Sequence, residues 1–374
     1  MINFANVKEW KIPYNGSLVD VLQVKDSNNI RVIWEKPNPG PDHSIPFYLF
    51  NNTNNTLVFN WTPSRMNSNQ PTVNISYSFD NSTYTSTSVQ GSTVFTVNIP
   101  ANTKCYLKAD MTFEKTQSGT FQWSSEIGGN IASLLYGNNF TGNETYYPTY
   151  YDDAYEENMN YERICAYMFS GSAITDASNL ALLYDNPSLM GGVECHGYMF
   201  INCSYLNAAP DLPTTLEDSC YKAMFYNCTS LTDAPNLNSN TLTAHCYDSM
   251  FYGCTSLINL QSTLPATYPE YSCYYSMFYG CSSLIKAPEI MLTSTWRQGG
   301  GYIYDSCGNM FYGCTSLNEI KVHFEDWPPT SGSYYNTDNW VYDVAVNGTF
   351  YKPNVLPDER GYNRIPSDWT ITSF

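Results

Sequence analysis

Cys220-Tyr-Lys-Ala-Met-Phe-Tyr-Asn-Cys228 is followed by Thr229-Ser-Leu231, and the phrase returns as Cys246-Tyr-Asp-Ser-Met-Phe-Tyr-Gly-Cys254 and Cys273-Tyr-Tyr-Ser-Met-Phe-Tyr-Gly-Cys281. An earlier copy reads Cys195-His-Gly-Tyr-Met-Phe-Ile-Asn-Cys203. A later one, Cys307-Gly-Asn-Met-Phe-Tyr-Gly-Cys314, reads as one residue shorter. A degenerate copy, Cys165-Ala-Tyr-Met-Phe-Ser-Gly-Ser172, has serine in place of the second cysteine. Leucine stands three residues after each second cysteine, at Leu206, Leu231, Leu257, Leu284 and Leu317. The Met-Phe pairs fall at 168, 199, 224, 250, 277 and 310, so the basic unit is 25 to 27 residues and the longer intervals carry inserts. A self-similar unit of that length predicts a solenoid, an architecture that points first to binding.

Within one unit, a helix beginning at the first cysteine would gather that cysteine, Met, Phe and the second cysteine into an arc of roughly 140°. That reading puts short helices in the solenoid and aims Tyr226, Tyr252 and Tyr279 at solvent. The segment after the leucine, such as Leu231-Thr-Asp-Ala-Pro-Asn-Leu237, is short and interrupted by proline, and reads as the extended side of the coil.

The twelve cysteines have three readings. A Cys-x7-Cys spacing is unsuitable for zinc, which takes clustered ligands. Disulfides within a helical unit would span about 12 Å, and equivalent cysteines on neighbouring helices would lie about 8–10 Å apart. Non-equivalent neighbours could still meet. Buried free thiols acting as small apolar fillers are the preferred reading.

The rest of the 374-residue chain divides around the repeats. Residues 1–41 hold Val19-Asp-Val-Leu-Gln-Val24, a turn at Asp26-Ser-Asn-Asn29 and Arg31-Val-Ile-Trp34. These predict a β-hairpin module, closed by the stiff linker Pro37-Asn-Pro-Gly-Pro41. Over 42–126, alternation at Leu57, Phe59 and Trp61, at Val73, Ile75, Tyr77 and Phe79, and at Phe95, Val97 and Ile99 predicts a small β-sandwich. The solenoid is placed at 127–326, with Ile127 to Tyr136 suggesting a cap for its first coil. An aromatic C-terminal cap takes 327–374. The fold class expected is multidomain and β-rich.

Cys-x3-Met-Phe-x2-Cys-Thr-Ser-Leu followed by Ala-Pro-x-Leu resembles the BspA-type leucine-rich repeats over residues 165 to about 320. The whole organisation is also similar to virion surface or fibre proteins of crAss-like phages that infect gut Bacteroidales. There a hairpin like Ile12-Pro-Tyr to Val32-Ile-Trp34 precedes a sandwich and such repeats, and a segment like Gly348-Thr-Phe-Tyr to Arg364-Ile-Pro-Ser-Asp-Trp369 closes the chain. That resemblance implies a tail or head fibre, a homotrimer, attachment to other virion proteins through the N-terminal module, and adhesion to a host.

Composition narrows the function classes. Acids outnumber bases 34 to 17 for a net charge of −17, which argues against a nucleic-acid surface. No stretch is long and apolar enough to predict membrane insertion. Met1 to Trp10 has no secretory h-region, so synthesis and release in a cytosol are expected; the resemblance implies that this is a bacterial host cytoplasm and that the protein ends on the virion surface. The 33 tyrosines suit a binding surface, although some would line a β-rich core.

Catalytic signals are weak. His196 and His245 adjoin cysteines, but adjacent residues on a helix diverge by about 100°, so neither pair forms a Cys-His dyad. Asp152-Asp-Ala-Tyr-Glu-Glu157 lacks the spacing of a calcium loop and reads as a solvated acidic linker. No phosphate loop or nucleophile elbow occurs. The expectation is a non-enzymatic protein with no cofactor, metal or catalytic residue, binding a host surface glycan or protein. Tyr226, Tyr252, Tyr279 and Tyr312 form one candidate contact ladder, with Trp296 and Tyr302 from an insert as a second. A bacterial cell-surface adhesin is the alternative, and a polysaccharide depolymerase a third reading.

Overall fold

A computed structural model of the chain describes residues 42–62, 72–90, 93–110, 121–144, 165–183, 196–261, 263–294, 305–328 and 336–374. It also describes the strand backbones at 11–14, 17–20, 297–298 and 301–302. The chain forms two units, Met1–Gly40 and Pro41–Phe374.

In the first unit, β1 (Lys11–Tyr14) pairs antiparallel with β2 (Ser17–Asp20), Tyr14 opposite Ser17. This pairing precedes the hairpin expected from residues 19–24 and 31–34, of which only Val19 and Asp20 are among the described residues. The strand expected at Arg31 to Trp34 lies outside the described residues.

The second unit opens on two facing sheets. The larger takes β3 (Tyr48–Asn51), β5 (Val73–Ser78), β6 (Thr85–Val89), β8 (Thr103–Ala109), β10 (Glu126–Asn130) and β11 (Asp176–Ala181), in the order β11-β10-β3-β8-β5-β6. The smaller is β7 (Phe95–Ile99), β4 (Leu57–Trp61) and β9 (Phe121–Gln122), with β4 central. Period-two alternation buries Phe95, Val97 and Ile99 on one face of β7, and Phe59 and Trp61 on β4. The alternation fails at Phe79, which is 42% exposed beyond the end of β5.

Residue 126 is not a structural edge, because β10 runs across it. This strand pairs antiparallel with β3 and parallel with β11, so the large sheet incorporates chain from both sides of the degenerate Cys165 copy. Ile127-Gly-Gly-Asn130 belongs to that sheet. Gly129 has φ +76°, and a Cβ there would lie 2.2 Å from the Pro46 carbonyl oxygen. Helix α1 (Ser133–Tyr136) follows and buries Leu134 and Leu135.

From Cys165 onward the expected helices do not occur among the described residues. The Cys-to-Cys segments are runs of tight turns in which hydrogen bonds alternate in direction. Cys220, Lys222, Met224, Tyr226 and Cys228 each donate N–H to the carbonyl three residues back. Tyr221, Ala223, Phe225 and Asn227 donate instead to Cys246, Asp248, Met250 and Tyr252 of the next coil. A helix would send every N–H backward along its own segment. What prevents it is a left-handed residue at every fourth position: Ser219, Ala223 and Asn227, then His245, Ser249 and Gly253, then Ser272, Ser276 and Gly280. Each reverses the local hand, and a right-handed helix cannot continue through it.

The same register shows that the fifth copy is not shortened. Tyr274 donates to Ser306 and Ser276 to Gly308, which sets Ser306 in the first-cysteine position and Cys307 in the position of Tyr274. Left-handed Asp305, Asn309 and Gly313 keep the period of four. A further coil, Asn336 to Asp343, continues the pattern without cysteine. Phe311 donates to Trp340 and Gly313 to Tyr342, and Asn339 and Asp343 are left-handed.

Inside the stack the Met, Phe and second Cys positions are fully buried. The phenylalanines form one column: Phe169, Phe200, Phe225, Phe251, Phe278 and Phe311 stack at 5.3 to 5.7 Å. Phe47, directly before β3, extends it, stacked 5.9 Å from Phe169. At the far end Trp340 tilts across Phe311 at 6.2 Å. Opposite the turns, the proline-interrupted segments pair in parallel, mostly through single bridges such as Asp233 to Asn259. Two short ladders complete that flank. One is β12 (Thr263–Leu264) with β13 (Glu289–Ile290), and the other is β16 (Glu319–Lys321), β17 (Thr349–Lys352) and β18 (Thr370–Ser373). Between them β14 (Arg297–Gln298) and β15 (Gly301–Tyr302) make an antiparallel hairpin.

Candidate functional site

The alternation of hand decides which side chains leave the core. After each buried Phe the next residue turns outward, and in four successive coils that residue is tyrosine. Backbone hydrogen bonding sets neighbouring coils about 4.8 Å apart, a spacing close to aromatic stacking distance. Tyr226 lies 4.4 Å from Tyr252, Tyr252 4.4 Å from Tyr279, and Tyr279 4.5 Å from Tyr312, with ring planes within 6° of parallel. The first candidate ladder is therefore one continuous half-buried column.

Tyr342 extends it at 4.7 Å and 20°, and Tyr362 follows at 4.7 Å with its ring tilted by 58°. Both were missed from sequence because their coils lack the Met-Phe signature. The signal was present in Asn339-Trp-Val-Tyr-Asp343, which matches Asn309-Met-Phe-Tyr-Gly313 at Asn and Tyr.

Of the second ladder, Trp296 lies outside the described residues, and Tyr302 is described only as backbone of β15. A different aromatic pair was not anticipated. Tyr167 and Tyr198 occupy the left-handed position before Met and stack at 4.6 Å and 3°. The tyrosines directly after the first cysteine, which a helix would also have placed within the inward arc, form a further column. Tyr221, Tyr247 and Tyr274 are buried and stacked at 6.0 Å, with His196 below them at 5.7 Å.

The column has a distinct chemistry. Because each inner ring is sandwiched, its faces are occupied and only its edge and hydroxyl reach outward. Burial, and then the neighbouring phenols of Tyr226 and Tyr279, push the Tyr252 hydroxyl up to about 12. It stays a neutral hydrogen-bonding group through the physiological range. The residue after each tyrosine is Asn227, Gly253, Gly280 or Gly313, all left-handed. Beyond it runs a column of Thr229, Thr255, Ser282 and Thr315.

The cysteines are thiols in every described case. Each second cysteine donates its S–H to a phenylalanine carbonyl of the preceding coil, as Cys254 does to Phe225 at 3.0 Å. They are hydrogen-bonded, beyond the filler role read from sequence. The helix-based spacing of 8–10 Å between equivalent cysteines does not hold in coils joined by backbone bonds. Burial pushes Cys203, Cys246, Cys254 and Cys307 up to about 12, which removes thiolate character.

His196 is enclosed, and burial pushes its imidazole down to about 3. His245 turns to Asp248 at 3.1 Å, where Lys222 at 3.0 Å and the Ser249 hydroxyl at 2.7 Å also converge. Burial opposes ionisation of Asp248, yet these partners outweigh it and hold the carboxyl below its ordinary value. Among the described residues no group of His, Cys, Asp and Glu is arranged to hold a metal, and no helix is long and apolar enough to cross a membrane. The acidic segment Asp152 to Glu157 lies outside the described residues. A cleft of about 420 Å³ between β4, β9 and the first coil is walled by Asn60, Gln122, Trp123 and Ser170, with no charged residue among the described ones that line it.

Comparison with protein-family models, curated proteins and solved structures returns no match for this chain.

Proposed function

We propose that this chain is a non-enzymatic adhesive protein of a virion surface, a tail or head fibre, whose coils form a BspA-type leucine-rich-repeat solenoid. Its N-terminal hairpin module attaches it to other virion proteins, it assembles as a homotrimer, and the coils bind a host surface glycan or protein. The observation that carries the adhesive reading is the half-buried tyrosine column from Tyr226 to Tyr342. Stacking removes the rotamer freedom that an isolated surface tyrosine would lose on binding, so the contact surface is ordered in advance. The particle and fibre assignments rest on the resemblance in sequence organisation alone.

Particles carrying Tyr252→Ala with Tyr279→Ala test the reading. Adsorption to host cells is expected to fall at least about tenfold if the column is the contact surface, since hot-spot aromatics cost about 2 kcal/mol or more on truncation. Unchanged adsorption with correctly folded protein would remove the column from the binding surface.

A further inference from the structure

Resting on that adhesive reading, we infer that the tyrosine column recognises an uncharged polysaccharide, edge-on through its hydroxyls, with the polymer lying along the stack. Three observations carry this.

Charge is the first. The chain has a net charge of −17, yet the outward strip over four coils contains none. It consists of Tyr226, Asn227, Thr229 and Ser230, then Tyr252, Gly253, Thr255 and Ser256, and the same pattern at Tyr279 to Ser283 and Tyr312 to Ser316. Along these four coils an ionic partner finds no charge to pair with, the first carboxylate being Asp343 beside Tyr342 at the end of the column, whereas a neutral polyol finds hydroxyl donors and acceptors throughout.

Ring geometry is the second. Centroid separations of 4.4 to 4.5 Å with parallel planes leave no room for a sugar between rings. Contact is confined to ring edges and phenol oxygens, and the Tyr252 phenol is held neutral. Recognition of this kind depends on the hydroxyl itself, which distinguishes it from sugar stacking on an open aromatic face.

Periodicity is the third. Coil after coil presents the same groups in the same orientation, because the same backbone bonds join Asn227 to Tyr252, Gly253 to Tyr279 and Gly280 to Tyr312. A periodic surface is matched by a periodic ligand. Each coil contributes one weak, equivalent contact, and a polymer joins them so that later contacts form at high effective concentration.

The test uses the full chain and neutral glucan and mannan oligomers from monosaccharide to octasaccharide, with hyaluronate oligomers as anionic comparators, by calorimetry. Affinity for a neutral series is expected to rise at least about tenfold with length and then level off. Tyr252→Phe with Tyr279→Phe preserves the stack, verified by near-ultraviolet circular dichroism, and is expected to cost at least about tenfold. Binding of the anionic series alone, affinity independent of length, undiminished binding by the Phe variant, or no binding of neutral oligomers would each overturn the inference. Host-cell adsorption of the Ala variants is read in parallel. If it is lost while neutral glycans fail to bind, the glycan assignment falls and the adhesive reading stands. If it is unchanged, the adhesive reading falls too.

Discussion

The thiol of Cys228 donates to the carbonyl oxygen of Phe200, 3.1 Å away in the preceding coil. That oxygen also accepts the backbone N–H of Cys203 at 3.0 Å, so one buried carbonyl is satisfied from two coils at once. Cys203, Cys254, Cys281 and Cys314 repeat the bond to Phe169, Phe225, Phe251 and Phe278. Cys254→Ala removes both the donor and the volume of the sulfur, and is expected to lower stability by about 1–3 kcal/mol in urea unfolding. With its pKa near 12, native Cys254 should also resist maleimide at pH 8 and label only after denaturation.

Ala223 separates a stack of turns from a stack of helices. Its φ is +50°. In a helix interior Ala223→Gly would cost about 1 kcal/mol. In a left-handed position glycine relieves the Cβ conflict, worth about 1–2 kcal/mol against the entropy of a freer unfolded chain. The substitution is expected to raise the thermal midpoint, and Gly280→Ala, at φ +71°, to lower it. Scanning calorimetry on both variants checks the pair of signs.

Acid should weaken the fold through His196. Its imidazole is 1% exposed and its folded pKa is pushed to about 3 by burial, against about 6.5 in an unfolded chain. Between those values the unfolded state binds a proton that the folded state refuses. The stability contributed by neutral His196 is therefore fully present above about pH 6.5. It declines as pH falls toward 3, by at most about 1.4 kcal/mol per unit. The equivalent residues are Tyr221, Tyr247 and Tyr274, so His196→Tyr is expected to flatten this limb in urea titrations from pH 7 to pH 4.

Arg364 closes the last coil. It donates to Pro328 O at 2.7 Å, Asn363 O at 2.8 Å, the Thr337 hydroxyl at 3.2 Å and Glu359 at 2.9 Å, and lies 5.4 Å from the Trp327 ring. Arg364→Ala removes the guanidinium donor from the Pro328 carbonyl, breaks the pair with Glu359 and empties a buried site, and is expected to cost about 3 kcal/mol. Arg364→Lys should recover only part of that, because an ammonium cannot reproduce the guanidinium fork. Tryptophan fluorescence, sensitive to Trp327 and Trp340, reads the loss.

Much of this was legible in the chain. Strong alternation located β4 and β7, and the repeated Cys, Met, Phe and Cys were correctly read as interior. The helical reading reached that buried set for the wrong reason, because a period-four run of turns and a helix place nearly the same positions inward. The two diverge at Ala223, which is buried where a helix would leave it outside. Left-handed backbone could not be foreseen there. Ala, Ser and Tyr disfavour positive φ, and the bonds from one coil to the next over-determine it. Tyr226, Tyr252, Tyr279 and Tyr312 could be picked out individually, but their face-to-face contact depends on a coil spacing that helices would not have given.

The phenylalanine column has an implication for how such a chain varies in length. The coil holding Tyr252 offers its neighbours the same carbonyls, ring and thiol as the coil holding Tyr279. Removing one complete unit would rejoin Phe225 to Phe278 with no new geometry at the seam. Removing half of one would break every column at once. Reach along this protein is thus quantised, adjustable by whole rungs while both ends stay unchanged.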